Sequence, residues 1–329
     1  MSRARRGQAG FTLIELMVGV VLTALVVGLA MQIGIPITGA FRSMREAQTA
    51  ERGARAGMEV LADAVRSASS SVTTGDLRDA SHCTTAAGIA IENHGDAPDA
   101  LTVLYASGGV LTSLRSVFLG SSTSFDVLES AGLVAGDMVI ISNGDVGRMV
   151  TIRALSAATG PATATTDAPT TACPNVLFPT AGFAVGSLVL RGKVARFYVA
   201  NASDGTPFLW MDPDGNGPAA AQPLAEGVED MQVAVGIDLD GDGVLREDGT
   251  ATDEWFYNNP GDPAPPDPTT TRWTTVRISL FARTYTDLAS NPPESARAAG
   301  EDRAAGAMDV YRRRVLTTTV DIRNLEQNP

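Results

Sequence analysis

The segment that most constrains this chain is the almost wholly apolar run over residues 11–35. About 20 such residues are enough to cross the hydrocarbon core of a bilayer as a helix. Three arginines, Arg3, Arg5 and Arg6, precede the run, and positive charge tends to stay on the cytoplasmic side. The sequence therefore predicts a membrane-spanning helix with its amino terminus in the cytoplasm and the rest of the chain exported.

The small residue in front of the apolar run sets this segment apart from an ordinary secretory signal. Such a signal is cut after its apolar stretch, whereas Gly10 stands just before this one. A cut there removes residues 1–10 and leaves the helix on a mature chain that begins at Phe11. Glu15 lies inside the helix, and a carboxylate in a membrane costs a few kcal/mol and usually has a partner. A plain signal anchor that tolerates an acid near its end is the alternative interpretation.

The residues GFTLIELMV, at positions 10–18, resemble the class III signal of type IV prepilins and pseudopilins. The resemblance implies that a prepilin peptidase cleaves between Gly10 and Phe11 and N-methylates Phe11. It also implies that Glu15 pairs with the amine of Phe11 on a neighbouring subunit. An acid placed in lipid should seek such a cation.

The helix is expected to continue beyond the membrane. Pro36 interrupts the apolar run and predicts a kink. Beyond it, apolar residues recur at spacings of four and three, which is one face of an amphipathic helix. That face consists of Ala54, Met58, Leu61, Val65 and Ala68. A helix from Phe11 to about Ser67 is on the order of 85 Å long.

The remainder of the chain reads as strands separated by turns, with an alternation typical of an antiparallel sheet covered on one face. We expect the amphipathic helix to be that cover, which gives a pilin-like α+β fold with a long amino-terminal helix. Strands are expected at 101–107, 138–142, 148–155, 187–200 (one strand or two), 231–239, 274–284 and 314–324. Residues 156–172 are small, polar and proline-containing and are expected to be a loop, and 261–268 and 290–302 are expected to be loops or disordered.

Four parts follow from these patterns. They are a cleaved leader (1–10), a membrane-spanning and filament-core helix (11–35), the amphipathic second half of that helix (36–68), and a β-rich periplasmic domain (69–329).

The chain contains two cysteines, Cys83 and Cys173. In an exported domain an even pair predicts a disulfide, here closing a loop of about 90 residues that is worth about 4–5 kcal/mol in the chain-entropy model. Neither cysteine has the paired spacing of a zinc site. His82 and His94 are expected to be surface residues.

One loop has the spacing of a calcium ligand set. Asp238, Asp240 and Asp242 precede Gly243, and carboxylates at loop positions 1, 3 and 5 with glycine at 6 wrap Ca²⁺ in EF-hand-type loops. Val244 offers its carbonyl at position 7. Position 12 is Gly249 instead of the usual bidentate glutamate, with Glu247 and Asp248 nearby as substitutes. Three close carboxylates repel one another without a cation, whereas the competing interpretation is an ordinary turn.

A weaker version of the same pattern occurs at Asp212, Asp214 and Asn216. Turn residues between strands are the simpler explanation there, since Asp, Asn and Gly are the usual turn formers.

Several strand segments resemble the PilW-type minor pilins of type IV pili. The similar stretches are 135–142, 193–200, 224–243 and 312–324. In that family a Val-Glu-x-x-Gln-Val strand leads into a Gly-Asp-rich turn, matched here by Val228, Glu229, Gln232 and Val233. The family's chain ends near an Arg-Asn pair, matched here by Arg323 and Asn324.

This resemblance implies a structural protein that helps to prime pilus assembly and is incorporated near the tip. It implies a single-pass inner-membrane protein with a periplasmic domain before assembly and an extracellular location in the pilus afterwards. The partners implied are the prepilin peptidase, the major pilin, other minor pilins, a PilY-type tip adhesin and the inner-membrane platform protein. Two alternatives stay open: a GspJ-like pseudopilin of a type II secretion system, and an adhesion or DNA-uptake module.

The net charge and the absence of catalytic motifs argue against two further classes of function, nucleic-acid binding and catalysis. The net charge is −12, and loss of the three leader arginines makes it −15, which disfavours nonspecific nucleic-acid binding. The sequence has no G-x-S-x-G, P-loop or H-E-x-x-H motif, and two histidines leave little general-base chemistry. We expect no enzymatic activity and no cofactor other than Ca²⁺.

Overall fold

The computed structural model describes residues 12–72, 76–79, 88–167, 181–215, 217–250, 252–266, 271, 273–284, 295–309 and 311–322. Gly10, Phe11, Cys83, Cys173 and the Arg323–Asn324 pair lie outside these residues. His82 and Asn216 lie outside them as well.

A single helix, α1 (Leu13–Ser67), forms the amino-terminal part of the structure. Thr12 caps it in an extended conformation, and the 55 residues extend about 82 Å at 1.5 Å each. The helix is assigned continuously through Pro36, so the proline does not end it. It ends where the sequence pattern predicts, since Ala68 leaves the helical conformation.

Sixteen strands follow among the described residues. They are β1 (Asp76–Asp79), β2 (Ile89–Glu92), β3 (Ala100–Ser113), β4 (Ser124–Val127), β5 (Met138–Ser142), β6 (Val146–Leu155), β7 (Ala162–Thr166), β8 (Leu188–Asn201), β9 (Pro207–Asp212), β10 (Gln222–Glu226), β11 (Val228–Gly236), β12 (Trp255–Phe256), β13 (Thr275–Arg283), β14 (Ser295–Ala296), β15 (Met308–Asp309) and β16 (Arg313–Asp321).

The strands form two main sheets, whereas the sequence pattern suggested one. Strands β1–β10 make a large sheet, antiparallel except for the parallel pair β1 and β6. A C-terminal sheet has the order β12-β11-β13-β16 and is antiparallel throughout. The chain passes from one sheet to the other at Gly227, whose φ of +82° is reached without strain only by glycine. A side chain there would meet the carbonyl oxygen of Arg283 at 2.7 Å.

One face of the second half of the helix is buried against both sheets. The predicted face is confirmed: Ala54, Leu61, Val65 and Ala68 are fully buried, and Met58 is 8% exposed. This face packs with apolar side chains of both sheets in one core, including Phe197, Leu209, Val233 and Ile278. The helix and the two sheets therefore share one core.

A separate core lies under β4–β7, where a loop was expected over 156–172. Within that range Ala162–Thr166 is strand β7, which pairs with β4 and β6. Ala162, Ala164 and Thr166 are buried while Thr163 and Thr165 face solvent. The expectation was wrong because small alternating residues carry the strand period with little hydrophobicity.

Gly57 lets the helix approach the large sheet closely, whereas Gly53 leaves room for a side-chain carbon. A side-chain carbon at Gly57 would lie 2.9 Å from Leu209 Cδ2 and 3.3 Å from Ala225 Cβ. At Gly53 the nearest atom would be the carbonyl oxygen of Glu226 at 3.7 Å, an ordinary contact.

Substitutions at Gly57 and at Gly53 should change the free energy of unfolding in opposite directions. Gly57→Leu overfills the helix–sheet contact and is expected to lower the free energy of unfolding by about 1–3 kcal/mol. Gly53→Ala fits the available space and should raise it by up to about 1 kcal/mol through helix propensity. Thermal unfolding of the detergent-solubilised chain measures both. Equal effects of the two substitutions would contradict this packing.

Candidate functional site

The first part of the helix is apolar and uncovered. Leu13–Gln32 has the length and composition of a membrane span, and none of it is buried by the rest of the chain. Leu13 and Ile14 are 80% and 71% exposed. So much exposed apolar surface indicates a partner that is apolar too, either lipid or other helices.

Glu15 lies in the first turn of this helix and forms a capping box with Thr12. The Glu15 backbone N–H donates to Thr12 Oγ1 at 3.3 Å, and Glu15 Oε2 accepts from the backbone N–H of Thr12 at 3.2 Å. The Thr12 hydroxyl also donates to Oε2 at 3.0 Å. The carboxylate thus faces the helix amino terminus, where the dipole favours negative charge. In an isolated subunit Thr12 supplies its hydrogen bonds, but no described residue supplies a cation.

A network of arginines and acids ties the C-terminal sheet together. Arg313 on β16 donates to Glu229 Oε1 on β11 at 2.5 Å, and Arg283 on β13 lies 3.4 Å from the same carboxylate. The Tyr311 ring packs against both guanidinium groups. Its centroid lies 4.0 Å from Cζ of Arg283 and 5.9 Å from Cζ of Arg313. Glu229, matched above only as part of a strand motif, therefore links three strands.

The next residue, Asp230, is fully buried with two cations. Its carboxylate lies 3.1 Å from Arg297 and 2.6 Å from Arg303, and it accepts from Gln232 Nε2 at 2.8 Å. Both arginines belong to the segment 295–309, expected to be a loop up to 302. Asp230 therefore anchors that segment to the sheet.

A second buried carboxylate, Asp99, lies near this anchor. Desolvation raises the pKa of Asp99 to about 7, and the charges of Asp302 and Asp230 add to the rise. Hydrogen bonds from the backbone N–H groups of His94 and Val233, both 2.8 Å long, oppose it. His94 lies between β2 and β3 of the large sheet, and Val233 lies on β11 of the C-terminal sheet. Asp99 accepts from both and therefore connects the two sheets.

The predicted calcium loop does bring its three carboxylates together. Oxygens of Asp238, Asp240 and Asp242 lie within 4.8 Å of one another. Asp238 accepts from the backbone N–H groups of Gly241 at 2.7 Å and Gly243 at 2.9 Å. Val244 lies at the exposed tip of the loop, 61% exposed. The buried Glu254 holds the loop in place by accepting from the backbone N–H groups of Leu239 and Arg246, each at 2.9 Å.

A cation from the chain itself already contacts this cluster. The guanidinium of Arg246 donates to Asp240 and to Asp242. The hydrogen bond that Arg246 donates to Asp240 lowers the pKa of the Asp240 carboxyl and raises the pKa of the Arg246 guanidinium. The expected mutual repulsion of the carboxylates is thus relieved without a metal. Calcium at this loop stays a prediction, with Arg246 as its competitor.

Removal of that competitor should reveal any affinity for calcium. In Arg246→Gln the two carboxylates lose their guanidinium, and millimolar Ca²⁺ is expected to raise Tm more than in the parent chain. Thermal unfolding with and without EDTA measures the difference. Arg153→Gln, which removes an exposed guanidinium from Asp167 elsewhere, is the matched control. A Ca²⁺-independent Tm in both the parent chain and Arg246→Gln would dismiss calcium binding.

The weaker loop has the geometry of a turn. Asp212 is fully buried, and its carboxylate accepts from the backbone N–H groups of Asp214 at 3.2 Å and Gly217 at 2.9 Å. Both of its oxygens are therefore used by the turn.

Comparison with known families gives two matches. Residues 5–31 match the prokaryotic N-terminal methylation motif, and residues 196–324 match the type IV pilus-assembly protein W. Comparison with curated proteins and with solved structures gives no match.

An apolar helix that begins with a methylation motif and continues into a sheet domain defines the class: a pilin-type protein of the type IV pilus. Residues 196–324, from within β8 to just past β16, match the type IV pilus-assembly protein W, so this part of the chain is similar to the PilW family. The family is a structural one, associated with pilins and the pilus machinery.

Sequence reasoning missed the arginines that pair with the acids of this domain. Arg246, Arg283, Arg297 and Arg303 carried no motif and were not singled out. A usable signal was present in the sequence of β11, where two adjacent acids, Glu229 and Asp230, interrupt a mostly apolar strand. Buried acids require cationic partners.

Proposed function

We propose that this chain is a minor pilin that helps to prime pilus assembly and enters the pilus near its tip. The observation that supports it best is the uncovered helix with one acid in its first turn. Apolar surface alone is satisfied by lipid, but none of the described residues of this chain gives Glu15 a counter-charge, and an acid in an apolar setting seeks one from a partner.

Processing supplies that counter-charge in the proposed mechanism. The prepilin peptidase cuts between Gly10 and Phe11 and N-methylates Phe11, which leaves a cationic amine at the start of the helix. Glu15 then exchanges its hydrogen bonds from Thr12 for the amine of Phe11 on a neighbouring subunit. This exchange sets the axial register of one helix against the next.

Before assembly the helix is proposed to stay in the inner membrane with the domain in the periplasm, where Cys83 and Cys173 form a disulfide. The domain then meets other minor pilins, the major pilin, a PilY-type adhesin and the inner-membrane platform protein. After assembly it is carried outside the cell on the pilus.

Co-purification of the full-length chain from membranes tests this role. An affinity-tagged chain is expected to retain other minor pilins after mild solubilisation, and immunogold label against it should mark pilus ends. Recovery of type II secretion components instead of pilins would favour the pseudopilin alternative and overturn the proposal. Label spread evenly along the pilus would overturn the tip position.

A further inference from the structure

The tight turn Gly300–Arg303 reaches both sheets. Backbone hydrogen bonds of 3.0 and 3.1 Å between its end residues close it. Within it Glu301 has a φ of +48°, a left-handed conformation that is uncommon for residues other than glycine. From this turn Glu301 pairs with Arg277 of β13 at 2.8 Å, while Asp302 contacts Asn93, the residue after β2. The turn therefore links the C-terminal sheet to the large sheet.

The contact between Asp302 and Asn93 has one hydrogen bond and two unused acceptors. Nδ2 of Asn93 donates to Oδ2 of Asp302 at 2.8 Å. The other two oxygens, Oδ1 of Asp302 and Oδ1 of Asn93, are shielded from solvent and have no hydrogen-bond partner among the described residues. Asp302 as a whole is only 8% exposed. Leaving buried acceptors unpaired is costly, so this contact calls for a donor.

Negative charge accumulates around Asp302. Burial raises the pKa of Asp302, and the charges of Asp262 and Asp230 add to the rise. The hydrogen bonds from Asn93 and from the backbone N–H of Asp302 oppose it. An ionised carboxyl is therefore disfavoured at this position.

The cations of the same segment are used elsewhere. Arg297 and Arg303 both pair with Asp230, at 3.1 and 2.6 Å. Asp302 has no ion pair within the part of the chain that the structure describes. The other ionisable groups around the contact are the buried Asp99, the half-buried Tyr257, and the exposed His94 and Asp96 of the β2–β3 turn.

We propose that Asp302 holds a proton in the folded domain and donates it from Oδ1 to Oδ1 of Asn93. A protonated carboxyl is both donor and acceptor, as is an amide. Two hydrogen bonds then join the acid and the amide in a closed ring, and one proton satisfies both unused oxygens. Loss of this proton to solvent leaves one hydrogen bond and a buried carboxylate near Asp230. The acid–amide pair is thus a pH-sensitive link between the turn and the large sheet.

The pH dependence of this link has a definite sign. Because the pKa of Asp302 is raised in the folded domain, that domain keeps the proton at pH values where the unfolded chain has released it. The stabilisation is fully present below the ordinary pKa of an aspartate and is lost as the pH rises through the raised value. Asp99, whose pKa is raised to about 7, changes the stability in the same direction.

Infrared difference spectroscopy of the detergent-solubilised full-length chain tests the proposal, because a protonated carboxyl has a C=O stretch that a carboxylate lacks. The band that Asp302→Asn removes from the parent spectrum is expected to persist to higher pH than the band that Asp204→Asn removes. Asp204 is exposed, and hydrogen bonds from Thr206 lower its pKa. Asp99→Asn should leave the Asp302 band in place.

Thermal unfolding of the same variants measures the stabilisation. Between about pH 5 and about pH 8 the Tm of the parent is expected to fall by about 2–4 °C more than that of Asp302→Asn. The introduced amide carries no charge and offers Asn93 a permanent N–H donor. Asp204→Asn should follow the parent chain.

A second variant keeps the acid and changes its partner. Asn93→Ala removes the Nδ2 donor from the C=O of Asp302, so the Asp302 band should shift to higher frequency. An unmoved band would show that the two side chains do not form the pair.

Two further outcomes overturn the proposal. If the band removed by Asp302→Asn disappears at the same pH as that removed by Asp204→Asn, Asp302 is an ordinary ionised acid. If Ca²⁺ or Na⁺ at about pH 8 raises the Tm of the parent and not that of Asp302→Asn, a cation joins the two oxygens instead of a proton.

Discussion

Glu15→Gln is expected to be cleaved and methylated normally yet to be almost absent from assembled pili. The amide has the same shape and still accepts the hydrogen bonds of Thr12, but it carries no charge for the amine of a neighbouring subunit. A lost pairing of a few kcal/mol in an apolar setting corresponds to about a hundredfold less incorporation. Immunoblots of sheared pili, normalised to membrane protein, measure it.

Thr12→Val is the matched control. It removes the hydroxyl that Glu15 contacts within its own subunit and leaves the carboxylate. If the acid acts between subunits, this variant assembles as well as the parent chain. Normal incorporation of Glu15→Gln, or equal failure of both variants, would show that Glu15 serves only as a cap.

Asp230→Ala is expected to give the largest loss of domain stability. It leaves the guanidinium groups of Arg297 and Arg303, only 12% and 19% exposed, without their counter-charge. Breaking a buried pair in this way costs about 3–5 kcal/mol. The segment 295–309 should detach, which limited proteolysis detects alongside the fall in Tm.

Two comparisons make that result specific. Asp167→Ala removes an acid from an exposed pair with Arg153 and should leave Tm unchanged within error. The triple variant Asp230→Leu/Arg297→Met/Arg303→Met replaces the buried acid and its two arginines by apolar side chains. It should recover much of the lost stability. A Tm for Asp230→Ala equal to that of the parent would contradict the anchoring role of Asp230.

The elements predicted correctly are those whose pattern is local. The amphipathic face from Ala54 to Ala68 and the helix end at Ser67 follow from a 3.6-residue period. Strand β5 was predicted at its observed bounds because MVIIS is short, apolar and flanked by turns. In each case the pattern that predicts the element lies within the residues of that element.

Most of the features that were missed depend on residues far apart in sequence, and one depends on a side chain that folds back within its own loop. The division into two sheets turns on Gly227, where a side chain would meet the carbonyl oxygen of Arg283, more than fifty residues away. Arg246 changes the calcium prediction because it folds back onto Asp240 and Asp242. The buried pairs of Asp230 join β11 to a segment with loop-like composition. No local period encodes such contacts.

Mass spectrometry of this chain recovered from sheared pili tests the central claim most directly. We expect a mature amino terminus at N-methylated Phe11, which would place the uncovered helix, with Glu15 at its start, inside the assembled pilus. An intact Met1, or a terminus beyond Ile35, would contradict it.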